Sequence, residues 1–75
     1  MREQAEKIGF RFARKGCPCN GTPVIYTLNV DGVLYTLNIW EKRNVWKLTT
    51  RGCSVATGNR DNLTQKITTI INKWD

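Results

Sequence analysis

From position 24 to position 39 apolar and polar residues alternate on either side of Asp31-Gly32. The two arms are near-copies, Ile25-Tyr26-Thr27-Leu28-Asn29-Val30 and Leu34-Tyr35-Thr36-Leu37-Asn38-Ile39. Asp-Gly between alternating runs predicts a hairpin, because a type I′ turn needs positive φ at both central residues. A two-residue turn fixes the register. Val30 then faces Val33, Leu28 faces Tyr35, Tyr26 faces Leu37 and Val24 faces Ile39, all on one side. The other side pairs Asn29 with Leu34, Thr27 with Thr36 and Ile25 with Asn38. One face is continuously apolar and the other is mostly Thr and Asn, so register and burial agree.

The same alternation returns at Val45-Trp46-Lys47-Leu48-Thr49-Thr50 after the polar connection Glu41-Lys42-Arg43-Asn44. A hairpin there sets Trp46 against Ile39 and Leu48 against Leu37, extending the apolar face. Arg51-Gly52 ends this strand, and residues 53–57 return as a short fourth strand or edge. Gly58-Asn59-Arg60 breaks the pattern, and Asn59 or Asp61 is placed to cap a final helix. In that helix Leu63, Ile67, Ile70, Ile71 and Trp74 form one stripe at helical spacing.

At the other end, residues 2–15 read as a helix. Ala5, Ile8 and Phe12 share one face, with Lys7, Arg11, Arg14 and Lys15 largely opposite, and Gly16 serves as its stop. A rival pattern takes Ile8, Phe10 and Phe12 as an alternating strand, and Gly9 weakens the helix. Residues 16–23 form a loop rich in Gly and Pro. Both helical stripes need an apolar surface, and the sheet offers one. The expectation is therefore an α+β fold of two layers: an antiparallel meander of three or four strands, packed on one face by the N- and C-terminal helices. Residues 1–75 make one small domain.

Composition then narrows the chemistry. Lys and Arg number 12 against 6 acids, a net charge of +6, which favours a polyanionic partner. A chain of this length buries only about 60% of its unfolded surface, leaving little room for an enclosed active site. The sequence holds no histidine, so the commonest general acid–base is missing. The acids are scattered, and no phosphate loop, dinucleotide fingerprint or nucleophile elbow occurs. The expectation is a non-enzymatic protein without cofactor.

The segment MREQAEKIGF lacks a signal-peptide core, and no run is long enough to span a membrane. Three cysteines are too few and too oddly numbered for a disulfide framework. Cys17-Pro18-Cys19 and Cys53 are therefore expected as plain thiols in a cytoplasmic protein, ahead of a redox-active Cys-Pro-Cys, whose geometry Pro restricts, and of a metal site, since zinc takes four ligands.

Three groups of residues are candidates for function. The open sheet face carries Ile25, Thr27, Asn29, Leu34, Thr36, Asn38, Trp40, Val45, Lys47 and Thr49, with Arg51 at its margin. Its Thr, Asn, Lys and Arg side chains can bond phosphates or base edges, and Trp40 is the one aromatic on that side. The second group is the basic stripe of the first helix, Lys7, Arg11, Arg14 and Lys15, extended by Lys42, Arg43 and Arg60, which suits phosphate contacts. The competing view is a solvated sheet face and ordinary helix cations. The third group is the cysteine loop, set aside above.

The order α-β-β-β-α, with Thr22-Pro23-Val24-Ile25-Tyr26 at the start of the first strand, resembles double-stranded-RNA-binding domains in topology. Asp61-Asn62-Leu63-Thr64-Gln65-Lys66 stands where those domains carry a Lys-rich helical turn. A three-stranded sheet backed by a helix is also similar to the arm-binding domains of phage-type integrases. Both likenesses imply a nucleic-acid partner.

The sequence thus points to a small basic module that binds nucleic acid through Thr36, Asn38, Trp40, Lys47 and Arg51, assisted by Arg11, Arg14 and Lys15. The alternative is a protein-interaction or self-association domain, a monomer or weak homodimer, that buries Ile25, Leu34, Trp40 and Val45 against a partner.

Overall fold

Asp31 and Gly32 take φ values of 51° and 83°, the left-handed pair that a type I′ turn requires. In the computed structural model, which describes residues 1–72, they join strands β2 (Val24–Val30) and β3 (Val33–Trp40). The register is the one expected, from Val30 opposite Val33 to Val24 opposite Ile39. Strand β4 (Val45–Thr50) follows, with Trp46 against Ile39 and Leu48 against Leu37. A second two-residue turn, Arg51 at φ 51° and Gly52 at φ 78°, leads into β5 (Cys53–Gly58).

The N-terminal segment corrects the expected long helix. Helix α1 covers only Arg2–Ile8, and Arg11–Lys15 form a strand, β1, paired antiparallel with β2. Gly9 ends the helix at φ 123°, and its N–H caps the carbonyls of Ala5 and Glu6. Few residues other than glycine enter that region cheaply. Beyond it Phe10, 2% exposed, enters the core, and the chain gains a ladder along the vacant edge of β2. The sheet thus has five strands in the order β1-β2-β3-β4-β5, one strand more than the widest meander expected. With a strand before β2 and another after β4, the order of helices and strands is α-β-β-β-β-β-α rather than the α-β-β-β-α read from the sequence.

Helix α2 (Leu63–Asn72) follows a 3₁₀ turn, Arg60–Asn62. Asn59 is the cap: its Oδ1 accepts from the Asp61 N–H at 3.0 Å, and its own N–H donates to Asn62 Oδ1 at 3.0 Å. Trp74, expected on the stripe of this helix, lies outside the described residues.

Both helices cover the apolar face. Ala5, Phe10, Tyr26, Tyr35, Leu37, Ile39, Trp46, Leu48, Leu63 and Ile67 form the buried cluster between the layers. Two of its polar groups are bonded at the rim. The Trp46 indole N–H donates to the Asn59 carbonyl at 2.7 Å, and Arg2 Nε donates to the Tyr26 hydroxyl at 2.9 Å. Arg2 also pairs with Glu41 at 3.5 Å and lies 5.9 Å from the Phe12 and Tyr26 ring centres. These contacts, the Tyr26 hydrogen bond first, push the guanidinium above its ordinary pKa. It therefore stays charged throughout the ordinary pH range.

The sheet edges are guarded. Strand β1 is short, cationic and bulged between Phe12 and Arg14. On β5 the ladder shifts between Leu48 and Thr49, and Lys66 Nζ donates to the Thr57 carbonyl at 3.1 Å. Bulges and edge lysines discourage strand-to-strand association.

Arg51 is a non-glycine residue in the left-handed region, where Asn or Gly is preferred. Replacing it by Asn is expected to stabilise the fold by about 0.5–1 kcal/mol, read as a higher urea midpoint at unchanged slope. An unchanged or lower midpoint would show that the turn carries no such strain.

Candidate nucleic-acid interface

Side chains on the sheet face away from the helices fall into rows set by the register. One row crosses all five strands: Arg14, Ile25, Asn38, Lys47 and Thr57. The next is Arg11, Thr27, Thr36, Thr49 and Ser54. Arg11, Arg14 and Lys47 are exposed, while Thr36 and Asn38 are half-buried. At about 4.8 Å between neighbouring strands, Arg14 and Lys47 stand roughly 14 Å apart.

Arg11 and Arg14 share this face because of the β1 bulge. Three positions apart on a regular strand, they would point to opposite sides. The extra residue, Ala13, shifts the ladder so that Arg14 lies opposite Ile25 and Lys15 opposite Val24. The two arginines expected on a helix are thus brought onto the face that carries Asn38 and Lys47. Lys15 is turned to the side of Val24 and Ile39, the opposite face.

The acids are segregated from these rows. Glu3 and Glu6 lie on α1, Asp31 in the β2–β3 turn, Glu41 in the 3₁₀ turn Glu41–Arg43 and Asp61 in the 3₁₀ turn before α2. No carboxylate among the described residues occupies either row, so the face carries uncompensated positive charge beside hydrogen-bonding groups.

Part of the polar inventory is already engaged. The Thr49 hydroxyl donates to the Thr36 carbonyl at 3.3 Å, and the Thr57 hydroxyl to the Trp46 carbonyl at 2.7 Å. Asn29 Oδ1 accepts from the Gly32 N–H at 3.0 Å within the turn. The donors that remain for a ligand are the cations, Asn38 and the hydroxyls of Thr27, Thr36 and Ser54.

Besides Lys15, two expected members lie outside these rows. Arg51 occupies the β4–β5 turn, at the same end of the sheet as Asp31. Trp40 ends β3 at the opposite end and is half-buried rather than projecting as an exposed ring. A Cβ on Gly21 would meet its indole Cδ1 at 3.3 Å, so the ring lies against the loop before β2.

The apolar residues considered for a partner surface do not make one patch. Ile25 is 8% exposed and Trp40 is half-buried. Leu34 and Val45 are exposed at 52% and 37%. Val45 pairs with Trp40, six positions along β3 from Leu34, which separates the two by roughly 20 Å.

Cys17 and Cys19 correct the expectation of plain thiols: they are joined as a disulfide, while Cys53 is free and exposed. No group of three or more potential metal ligands occurs among the described residues. No described helix is long and apolar enough to cross a membrane.

The rows add Ser54 and Thr57 to the residues singled out from sequence. The signal for Arg11 and Arg14 in a strand was the Phe10–Phe12 alternation just after Gly9. The bulge that aims Arg14 has no local sequence mark.

No family model, curated protein or solved structure matches this chain.

Proposed function

We propose that the protein is a non-enzymatic nucleic-acid-binding module that lays the phosphate backbone across the open face of its sheet. The observation that carries this reading is the segregation of charge: Arg11, Arg14 and Lys47 share a face from which carboxylates are absent among the described residues. Cations on one surface neutralise successive phosphates and release condensed counterions. Thr36 and Asn38 lie between them on the central strand, where an amide or hydroxyl meets a phosphate oxygen or a base edge. The helices stiffen the sheet from behind and stay out of the interface.

Fluorescence anisotropy with labelled random-sequence oligonucleotides, single- and double-stranded, tests the proposal across a salt series. Binding to at least one form should weaken steeply between about 50 and 200 mM salt, with a slope of roughly 0.9 per phosphate neutralised on duplex and 0.7 on single strands. Lys47→Ala should flatten that slope by about one phosphate contact. Absence of binding to both forms at low salt, or an affinity indifferent to salt, would overturn the reading.

A further inference from the structure

At the end of the sheet where β3 stops, a cleft of about 640 Å³ opens between the loop before β2 and the 3₁₀ turn Glu41–Arg43. That volume lies within the range that small ligands occupy, about 300–1,000 Å³. Lys15, Lys42 and Arg43 line it together with Trp40, Gly21 and Thr22. Arg2 and Glu41 complete the wall and are paired with each other at 3.5 Å, so their charges offset. Glu41 is the one carboxylate among the residues lining the cleft, against four cations.

Other depressions in the molecule have a different character. The one beside α1 sets Glu3 and Glu41 among its cations. The one between β5 and α2 has a single cation, Lys66, already bonded to the Thr57 carbonyl at 3.1 Å.

The loop side of the cleft is held in unusual conformations. Gly21 has φ 81°, and a Cβ there would meet Trp40 Cδ1 at 3.3 Å and the Arg43 guanidinium carbon at 3.8 Å. Thr22 has φ 49°, a region that β-branched residues rarely adopt and that clusters at ligand clamps. The disulfide at Cys17 and Cys19 and the Thr22 N–H to Cys17 carbonyl bond of 3.2 Å hold this loop.

We propose that the cleft binds a phosphorylated nucleotide, with its phosphate among Lys15, Lys42 and Arg43 and its base against Trp40. Positive charge confined in a cleft is relieved by a phosphate, whose oxygens take charge-assisted hydrogen bonds from ammonium and guanidinium groups. An indole wall offers a stacking surface that tolerates any base. The ligand is a free mononucleotide or the 5′-phosphate end of a strand, which present the same chemistry. The site has its own geometry, and only its strand-end form rests on the reading of the open face.

The test is an NMR titration of the labelled full chain, following the Trp40 indole resonance. The probes are AMP, adenosine and a pair of oligonucleotides of one sequence with and without a 5′-phosphate. AMP should shift Trp40 and bind at least about tenfold more tightly than adenosine, because charge-assisted hydrogen bonds to the phosphate are lost in the nucleoside. The exposed-turn variant Lys42→Ala/Arg43→Ala should lose about that factor for AMP, and Trp40→Phe should retain binding. A 5′-phosphate preference in the oligonucleotides assigns the strand end as the ligand, and equal binding of the two assigns the free nucleotide.

Equal binding of AMP and adenosine, no shift at Trp40, or an unaffected Lys42→Ala/Arg43→Ala variant overturns the proposal. The two surfaces fail separately. AMP binding at Trp40 without oligonucleotide binding removes the open-face reading alone, and oligonucleotide binding without AMP binding removes the cleft alone.

Discussion

Trp46→Ala is expected to remove a large part of the fold's stability at 25 °C. Trp46 is fully buried in the core cluster, opposite Ile39. Removing a buried tryptophan of this kind costs about 3–5 kcal/mol in lost transfer energy and residual cavity. The indole N–H bond to the Asn59 carbonyl, 2.7 Å, goes with it, and that carbonyl belongs to the residue capping the 3₁₀ turn before α2. At about 0.05–0.15 kcal/mol per residue, a domain of this length has roughly 4–11 kcal/mol in total. A urea midpoint lowered by about 3–5 kcal/mol divided by the slope of the transition is the expected result. A variant that unfolds with an unchanged midpoint would show that the core does not rest on this side chain.

Reversing the charge at two open-face positions, Arg14→Glu with Lys47→Glu, is expected to weaken nucleic-acid binding on the order of 100-fold at low salt while leaving the fold intact. Both side chains are exposed, so surface substitution there should change stability little. The same two changes placed at Lys7 and Lys66, outside the open-face rows, control for net charge. If attraction were only a matter of overall charge, the two double variants would lose affinity equally. A loss much larger for the Arg14 and Lys47 pair is the result expected of a defined face.

The hairpin and the strand after it were legible in the sequence down to the register. Asp31-Gly32 specifies its turn chemically, and a one-residue slip would turn Tyr26, Leu37 and Trp46 away from the core. The stop of the first helix was legible only in part. Over so few residues the helical spacing of Ala5, Ile8 and Phe12 coexists with the alternation of Phe10 and Phe12, and local propensity does not choose between them. What decides is non-local: the vacant edge of β2 and the reversal at Gly9.

The candidate site shows the same division. The residue types that suit phosphate were visible in the sequence, including Arg11 and Arg14, but not the face on which they meet. That depends on Ala13 as the extra residue of a bulge, a feature of pairing rather than of composition. Trp40 was correctly distinguished from the core tryptophan Trp46, yet the half-burial of its ring depends on a loop folding back to bring Gly21 against it. Arg51 was visible as a strand end, and its left-handed turn separates it from the two rows. The disulfide at Cys17 and Cys19 was hidden by the odd cysteine count, which describes the whole chain and says nothing of two neighbours in one loop.

The most direct test of the central claim is a chemical-shift map of the labelled protein with whichever random-sequence oligonucleotide it binds more tightly, recorded at low and at moderate salt. The account predicts perturbations centred on Arg11, Arg14, Thr36, Asn38 and Lys47 that fade as salt rises, with α1 and α2 unmoved. Perturbations confined to the helical face, or none at low salt, would contradict it.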